Sequence, residues 1–211
     1  MYASDILHSL RCQQLVAVIR GDSKENGIQV SKACIEGGLT AIEMAYTNRY
    51  ASEIISALND EYADRQDVLI GAGTVLDAPT ARMAILAGAK YVVSPAFDHE
   101  TAVMCHRYGI PYIPGCMTLK EIITAMEDGC EMIKLFPGSV LGKGMISAVK
   151  GPLPQASFMV TGGVNMDNMN EWFEAGADCL GIGGELNRLG AKEEYQAISE
   201  KAKAYVQNKK A

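Results

Sequence analysis

Leu86-Ala-Gly-Ala-Lys90 runs directly into Tyr91-Val-Val-Ser-Pro95, and Glu174-Ala-Gly-Ala-Asp178 runs directly into Cys179-Leu-Gly-Ile182. In each case the glycine can take the left-handed conformation that stops a helix. The apolar run that follows is strand-length and bounded by a charge or by Gly or Pro. The same helix-to-strand turn, used twice, points to a repeated α/β unit. Moving outward, strand-length apolar runs fall at Leu15–Arg20, Ala41–Tyr46, Val68–Val75, Tyr91–Pro95, Pro111–Cys116, Glu131–Pro137, Ser157–Gly163 and Cys179–Gly184. Their spacing is about 20 to 25 residues, too short for anything but one helix between neighbours.

The stretches between these runs read as helices. Asp77-Ala-Pro-Thr80 opens one with Asp77 as its N-cap, and Asp98 and Thr118 open others. Gly37-Gly38, Gly88, Gly109, Gly129 and Gly176 each stand just before a strand, where a glycine ends the preceding helix. Eight strands alternating with about eight helices is the count of a (β/α)8 barrel, the TIM barrel. It is expected as a single domain over residues 1–211. The rival is an open doubly wound sheet. Its dinucleotide-binding version carries G-x-G-x-x-G after the first strand, whereas here that strand ends Val18-Ile-Arg-Gly21.

Bulk properties narrow the function. The chain has 211 residues, 48% hydrophobic and 21% charged, the profile of a soluble globular domain. A net charge of −6 argues against a general nucleic-acid binder, which needs clustered Lys and Arg. Met1 to Gln14 contains Asp5, His8 and Arg11 and does not read as a secretory signal. No run approaches the ~20 apolar residues that span a bilayer. A cytoplasmic protein with no membrane partner is the expectation. The six cysteines are scattered without a C-x-x-C pair and read as free, mostly buried thiols. Cys116 as a nucleophile would need a base nearby, and no histidine falls at a comparable strand end. His8, His99 and His106 do not cluster with carboxylates at ligand spacing, so neither a metal nor another cofactor is expected.

Chemistry in such a barrel sits at the C-terminal strand ends, and alternate residues of a strand face inward. In Glu131-Met-Ile-Lys-Leu-Phe-Pro137, Lys134 lies between Ile133 and Leu135. If those two face the helices, Lys134 faces the interior. Taking an ammonium out of water favours the neutral amine, and a neutral amine attacks a ketone to form a Schiff base. The plainer alternative is a lysine that only balances a carboxylate. Glu43 is the one charge in Ala41-Ile-Glu-Met-Ala-Tyr46 and turns inward by the same parity. Lysine and glutamate in one cavity supply a nucleophile and a proton shuttle, or else a structural ion pair.

Further strand ends supply binding groups. Arg20, in phase with Val16 and Val18, suits a carboxylate or phosphate at the barrel mouth, although a plain surface arginine is the alternative. Gly71-Ala-Gly-Thr-Val75 lets backbone come close to something and places the Thr74 hydroxyl at a strand end. Thr161-Gly162-Gly163 and Gly183-Gly184 end the last two strands, where barrels of this kind often hold a phosphate on bare backbone N–H groups. A tight turn without a ligand would use the same glycines.

Taken in order, Leu15-Val-Ala-Val-Ile-Arg-Gly21, Ile42-Glu43, Gly71-Ala-Gly-Thr-Val-Leu76, Ser94-Pro95, Pro114-Gly-Cys116, Ile133-Lys-Leu-Phe-Pro137 and Thr161-Gly-Gly-Val164 resemble the 2-keto-3-deoxy-6-phosphogluconate aldolase family, also called the 4-hydroxy-2-oxoglutarate aldolases. The resemblance covers about Leu15 to Gly184. It implies Lys134 as the Schiff-base lysine, Glu43 as general acid/base, and Thr74 as the group holding the pyruvate carboxylate. It implies Pro95 and Phe136 as lining residues, with phosphate at Gly162, Gly163, Gly183 and Gly184. It also implies a homotrimer acting on a 2-keto acid, with no cofactor. Two positions depart. One branch has an arginine four residues after the glutamate, where this chain has Thr47, with Arg49 nearby; Arg20 can supply that charge instead. The same branch has a serine after the final glycine pair, where this chain has Glu185. A carboxylate there must point away from a phosphate or weaken its site.

The reaction this implies is cleavage of 2-dehydro-3-deoxy-6-phosphogluconate or 4-hydroxy-2-oxoglutarate to pyruvate and an aldehyde. The galactonate analogue is an alternative substrate. A sugar-phosphate isomerase or epimerase using Glu43 without a covalent lysine, and a silent metabolite-binding barrel, are the rival classes.

Overall fold

The structure is a computed structural model and describes residues 2–209. Its strands are β1 (Leu15–Ile19), β2 (Ala41–Ala45), β3 (Leu69–Gly73), β4 (Val92–Val93), β5 (Tyr112–Ile113), β6 (Gly115–Cys116), β7 (Ile133–Leu135), β8 (Phe158–Thr161) and β9 (Cys179–Ile182). The helices are α1 (Ala3–Gln13), α2 (Lys24–Glu36), α3 (Ala51–Glu61), α4 (Ala78–Leu86), α5 (His99–Arg107) and α6 (Leu119–Glu127), followed by α7 (Gly138–Leu141), α8 (Gly144–Lys150), α9 (Met169–Glu174), α10 (Gly184–Gly190) and α11 (Tyr195–Asn208).

Every strand pair is parallel, in the order β5-β4-β3-β2-β1-β9-β8-β7-β6. The two ends of that order are halves of one stretch of chain, broken at Pro114, which has no N–H to give a ladder. The Pro114 carbonyl still accepts the Lys134 N–H at 2.8 Å, and the Ile113 carbonyl accepts the Ser94 N–H at 3.2 Å. The sheet therefore closes on itself as an eight-stranded barrel with helices outside, as the rhythm of apolar runs predicts.

Strand parity separates two cores. Outward residues such as Ala17, Ile42, Ile70, Ile133, Phe158 and Leu180 pack against the helices. Inward residues at the strand starts, among them Val16, Ala41, Leu69, Tyr91, Met132, Met159 and Cys179, form a second cluster with Ile6, Leu7 and Leu10 of α1. Helix α1 thus plugs the N-terminal end of the barrel, so the interior is accessible only from the other end.

The punctuation is as expected. Asp77, Asp98 and Thr118 cap α4, α5 and α6, accepting from the backbone N–H groups of Thr80, Thr101 and Glu121. Gly38, Gly88, Gly109, Gly129 and Gly176 have φ between +68° and +102° and stop the helices before the following strands. In the Gly37-Gly38 pair the left-handed residue is the second, since Gly37 keeps φ −76°. Cys34, Cys105, Cys116, Cys130 and Cys179 are buried free thiols, and Cys12 is exposed. Among the described residues no helix is long and apolar enough to cross a membrane.

Candidate active site

Lys134 and Glu43 meet inside the barrel. Lys134 comes from β7 and Glu43 from β2, strands separated in the sheet by β1, β9 and β8, so the contact crosses the interior. Lys134 Nζ lies 3.5 Å from Glu43 Oε1, and the two residues are 5% and 1% exposed. Both side chains are therefore removed from bulk water, and each is the main compensation for the other's desolvation. The pair is loosely made for a salt bridge. Glu43 Oε2 has no hydrogen-bond partner, nor has the Thr161 hydroxyl, although both atoms are buried. Buried polar atoms without partners are costly. One of these atoms belongs to Glu43 in the middle of β2, the other to Thr161 at the end of β8.

The inward glycines explain how so small a barrel holds these side chains. A β-carbon added at Gly73 would stand 2.2 Å from Glu43 Oε1, and one at Gly71 2.4 Å from the Tyr91 ring. The backbone that Gly71-Ala-Gly73 brings close is thus occupied by this chain's own Glu43 and Tyr91. At Gly181 an added carbon would meet Thr161 Cγ2 at 2.3 Å, and at Gly115 the Pro95 carbonyl oxygen at 2.1 Å. Tyr91 lies below Glu43 and donates to the Ile42 carbonyl at 2.8 Å. Burial above all, then the nearby Glu43 charge, pushes its phenol well above the ordinary value, so it remains a donor.

Around this centre stand the other predicted residues. Lys134 Nζ is 5.1 Å from the centroid of the half-buried Phe136 ring. Thr74 follows β3 directly and has φ +54°, a left-handed backbone that a β-branched residue rarely adopts. Gly162 and Gly163 both have φ +86°. The Gly162 carbonyl accepts from Ser139 N–H at 2.8 Å and the Gly163 carbonyl from Asn168 Nδ2 at 2.8 Å. Gly183 caps α10, and an added carbon at Gly184 would meet nothing within 4 Å.

Arg20 stands one residue past β1, exposed, and its guanidinium is in none of the ion pairs among the described residues. Arg49 is committed elsewhere, over the Tyr50 ring at 4.6 Å from its centroid, and Thr47 is exposed. Glu185 turns to α11, where it pairs with Lys201 at 3.0 Å and accepts from the Tyr205 hydroxyl at 3.4 Å. Its carboxylate is thus committed to α11. Sequence reasoning missed Tyr91, Asn48 and Asn187. Tyr91 could have been found from the inward parity of Gly71 beside it; the two asparagines have no signal in any strand pattern.

A cavity of about 340 Å³ lies at the other end of the barrel, lined by Arg11, Glu131, Gln155 and Ser157 among others, and shares no residue with the Lys134 cluster. Among the described residues no group of three or more His, Cys, Asp or Glu is placed to hold a metal ion.

The family model described as KDPG and KHG aldolase matches residues 6–201. A 2-dehydro-3-deoxy-phosphogluconate aldolase of Treponema pallidum is 36% identical over 168 residues, 79% of this chain and 79% of its own. A 2-dehydro-3-deoxy-6-phosphogalactonate aldolase of Escherichia coli is 33% identical over 193 residues, 91% and 92% of the two chains. Among solved structures, the KDPG aldolase of Legionella pneumophila, with pyruvate captured as a covalent carbinolamine intermediate, superposes with a TM-score of 0.85 at 25% identity, covering 93% of this chain and 96% of its own.

Proposed function

The chain belongs to the KDPG and KHG aldolase family, and from that premise we propose that Lys134 is the Schiff-base lysine of an enzyme that cleaves 2-dehydro-3-deoxy-6-phosphogluconate to pyruvate and glyceraldehyde 3-phosphate. It is a carbon–carbon lyase. The observation that carries the reading is the buried Lys134–Glu43 contact at 3.5 Å, beside two unpartnered buried oxygens.

The proposed steps are these. Nζ of Lys134 attacks C2 of the 2-keto acid, and loss of water leaves an iminium. Glu43, directly or through a water, takes the proton of the C4 hydroxyl. The C3–C4 bond breaks, its electrons flow into the iminium, and the aldehyde leaves. The resulting enamine is protonated at C3, and water hydrolyses the imine to release pyruvate and regenerate the amine. Thr74 and Arg20 are the groups we assign to the carboxylate, with Pro95, Phe136 and Thr161 lining the carbon chain. The turns at Gly162-Gly163 and Gly183-Gly184 take the phosphate, at the strand ends where this fold commonly binds one.

The test is trapping. Pyruvate with borohydride should inactivate the protein, add one three-carbon unit per chain, and place it on Lys134 in a peptide map. A label on any other lysine removes the assignment. The galactonate analogue is a second reading, favoured by the E. coli relative that matches 91% of the chain. Steady-state rates on the two phosphorylated sugar acids and on 4-hydroxy-2-oxoglutarate separate the substrates. We also assign a homotrimer, for which Met83 and Leu86, exposed at 55% and 69% and three residues apart on α4, offer apolar surface to cover. Sedimentation equilibrium at three chain masses is the expected result.

A further inference from the structure

Strand β1 loses its neighbour just before the arginine that follows it. Its ladder to β9 ends at the pair Ala17↔Ile182. The next parallel bridge would set Ile19 opposite Gly184, but Gly184 has already begun α10. The side chain of Asn187 occupies the vacated position. Its Oδ1 accepts the Arg20 N–H at 2.8 Å, and its Nδ2 donates to the Val18 carbonyl at 2.7 Å. A strand residue in a parallel ladder bonds in the same way to the groups before and after the residue facing it. The carboxamide thus stands in for the backbone N–H and C=O of one residue of β9. The same Nδ2 reaches the Gly183 carbonyl at 2.6 Å, which ties the end of β1 to the glycine turn.

The other side of Arg20 is held by a second asparagine. Asn48, only 7% exposed, donates through Nδ2 to the Arg20 carbonyl at 2.9 Å, and its Oδ1 accepts from Tyr50 N–H at 2.8 Å. Each asparagine has a glycine that makes room for it. A β-carbon on Gly183 would lie 3.3 Å from Asn187 Nδ2 and 3.0 Å from the Val18 carbonyl oxygen. One on Gly21 would lie 3.3 Å from Asn48 Nδ2. Gly183 therefore serves the clamp whether or not it also meets a ligand. The main chain of Arg20 is gripped at both its N–H and its carbonyl, although the residue lies outside the strand and its side chain is in the open.

We propose that Asn187, seconded by Asn48, is a positioning residue for substrate binding, holding Arg20 at a fixed place beside the Gly183–Gly184 turn so that its guanidinium meets an oxyanion of the substrate. The proposal rests on the aldolase reading above. A guanidinium on a fixed backbone loses less freedom on binding than one on a loose loop, and the gain appears as affinity.

The experiment is steady-state kinetics on Arg20→Ala, Asn187→Ala and the double variant, with 2-dehydro-3-deoxy-6-phosphogluconate as substrate. Asn187→Ser is carried in parallel in case the alanine variant folds poorly. Arg20→Ala should raise KM by roughly 10- to 100-fold, the worth of a charge-assisted hydrogen bond. Asn187→Ala should raise it by about tenfold with kcat within about twofold, a loss of binding common to ground and transition states. The double variant should be no worse than Arg20→Ala, because the clamp acts only through the arginine. Half-saturation by pyruvate in borohydride trapping identifies the oxyanion: a rise there assigns the carboxylate, and a rise confined to the phosphorylated substrate assigns the phosphate. An unchanged KM in the Asn187 variants overturns the proposal, as do effects that add in the double variant or a loss confined to thermal stability. Wild-type protein that neither traps pyruvate nor cleaves the substrate overturns the aldolase reading instead.

Discussion

Gly73 and Glu43 occupy one another's space: a single added methyl on Gly73 would fall 2.2 Å from Glu43 Oε1 and 2.5 Å from its Cγ. They sit on neighbouring strands two residues out of register, with Gly73 opposite Ala45 and Glu43 opposite Gly71. Gly73 has no left-handed φ, so the glycine is there for volume. Gly73→Ala should displace the carboxylate from Lys134 at a cost of about 1–3 kcal/mol, typical of overpacking. Turnover should fall with it. Gly144→Ala is the control, since an added carbon there meets nothing within 4 Å. Normal kcat in a folded Gly73→Ala protein would show that Glu43 does not need its present position.

Glu43→Gln separates a proton shuttle from a structural pair. As general acid/base, Glu43 should be worth about 10²-fold or more in turnover. The variant should keep its fold and still trap pyruvate on Lys134, more slowly. If the pair were only structural, removing one charge from partners 5% and 1% exposed should instead destabilise the fold by roughly 3–5 kcal/mol. A melting curve and a turnover number on one preparation decide between them. A stable variant with near-normal turnover would remove Glu43 from the reaction.

The buried thiols give a pH signature. Desolvation pushes Cys105, Cys116, Cys130 and Cys179 up to about 12, and Cys34 higher still. Cys116 is therefore held as a neutral thiol and is no nucleophile. In native protein near pH 8 a thiol reagent should label Cys12 alone, with all six cysteines reacting in denaturant. A raised folded-state pKa favours the folded form below the unfolded thiol value of about 8.5, and that advantage fades as pH climbs toward the folded value. The urea midpoint should thus fall between pH 8 and pH 10.5. A flat midpoint, or rapid native labelling of a second cysteine, contradicts the burial.

The fold was legible because the barrel repeats its punctuation. Glycines at Gly88 and Gly176 end helices by φ alone, and alternation along each strand turned Glu43 and Lys134 inward without any tertiary information. What stayed hidden depends on contacts across strands. Gly73 reads as permission for a ligand until Glu43 is seen filling the space, and Asn187 reads as a helix polar residue until β9 is seen to end one bridge short. Glu185 is similar: its charge suggested conflict with an anion, and only the packing of α11 shows it paired with Lys201 at 3.0 Å.

Thr74 gives the sharpest test, because stability and binding should move apart. Its φ of +54° is costly for a β-branched residue, of the order of 1–2 kcal/mol, yet it directly follows Gly73, whose missing β-carbon leaves room for Glu43. Thr74→Val keeps the shape and the strain but removes the hydroxyl, so the melting temperature should hold while half-saturation by pyruvate rises, by roughly tenfold for one hydrogen bond to a charged group. Thr74→Gly removes both. Glycine loses more freedom on folding, by about 0.4–1 kcal/mol, but it relieves the strained backbone, so the two effects nearly cancel or leave a net gain. The expected outcome is a glycine variant at least as stable as the parent and clearly poorer at binding pyruvate. That pattern would mean the left-handed turn is held for the sake of the hydroxyl. If Thr74→Gly is instead strongly destabilised, the side chain is packed for the fold. If Thr74→Val binds pyruvate normally, the carboxylate is held by other groups, with Arg20 the next to examine.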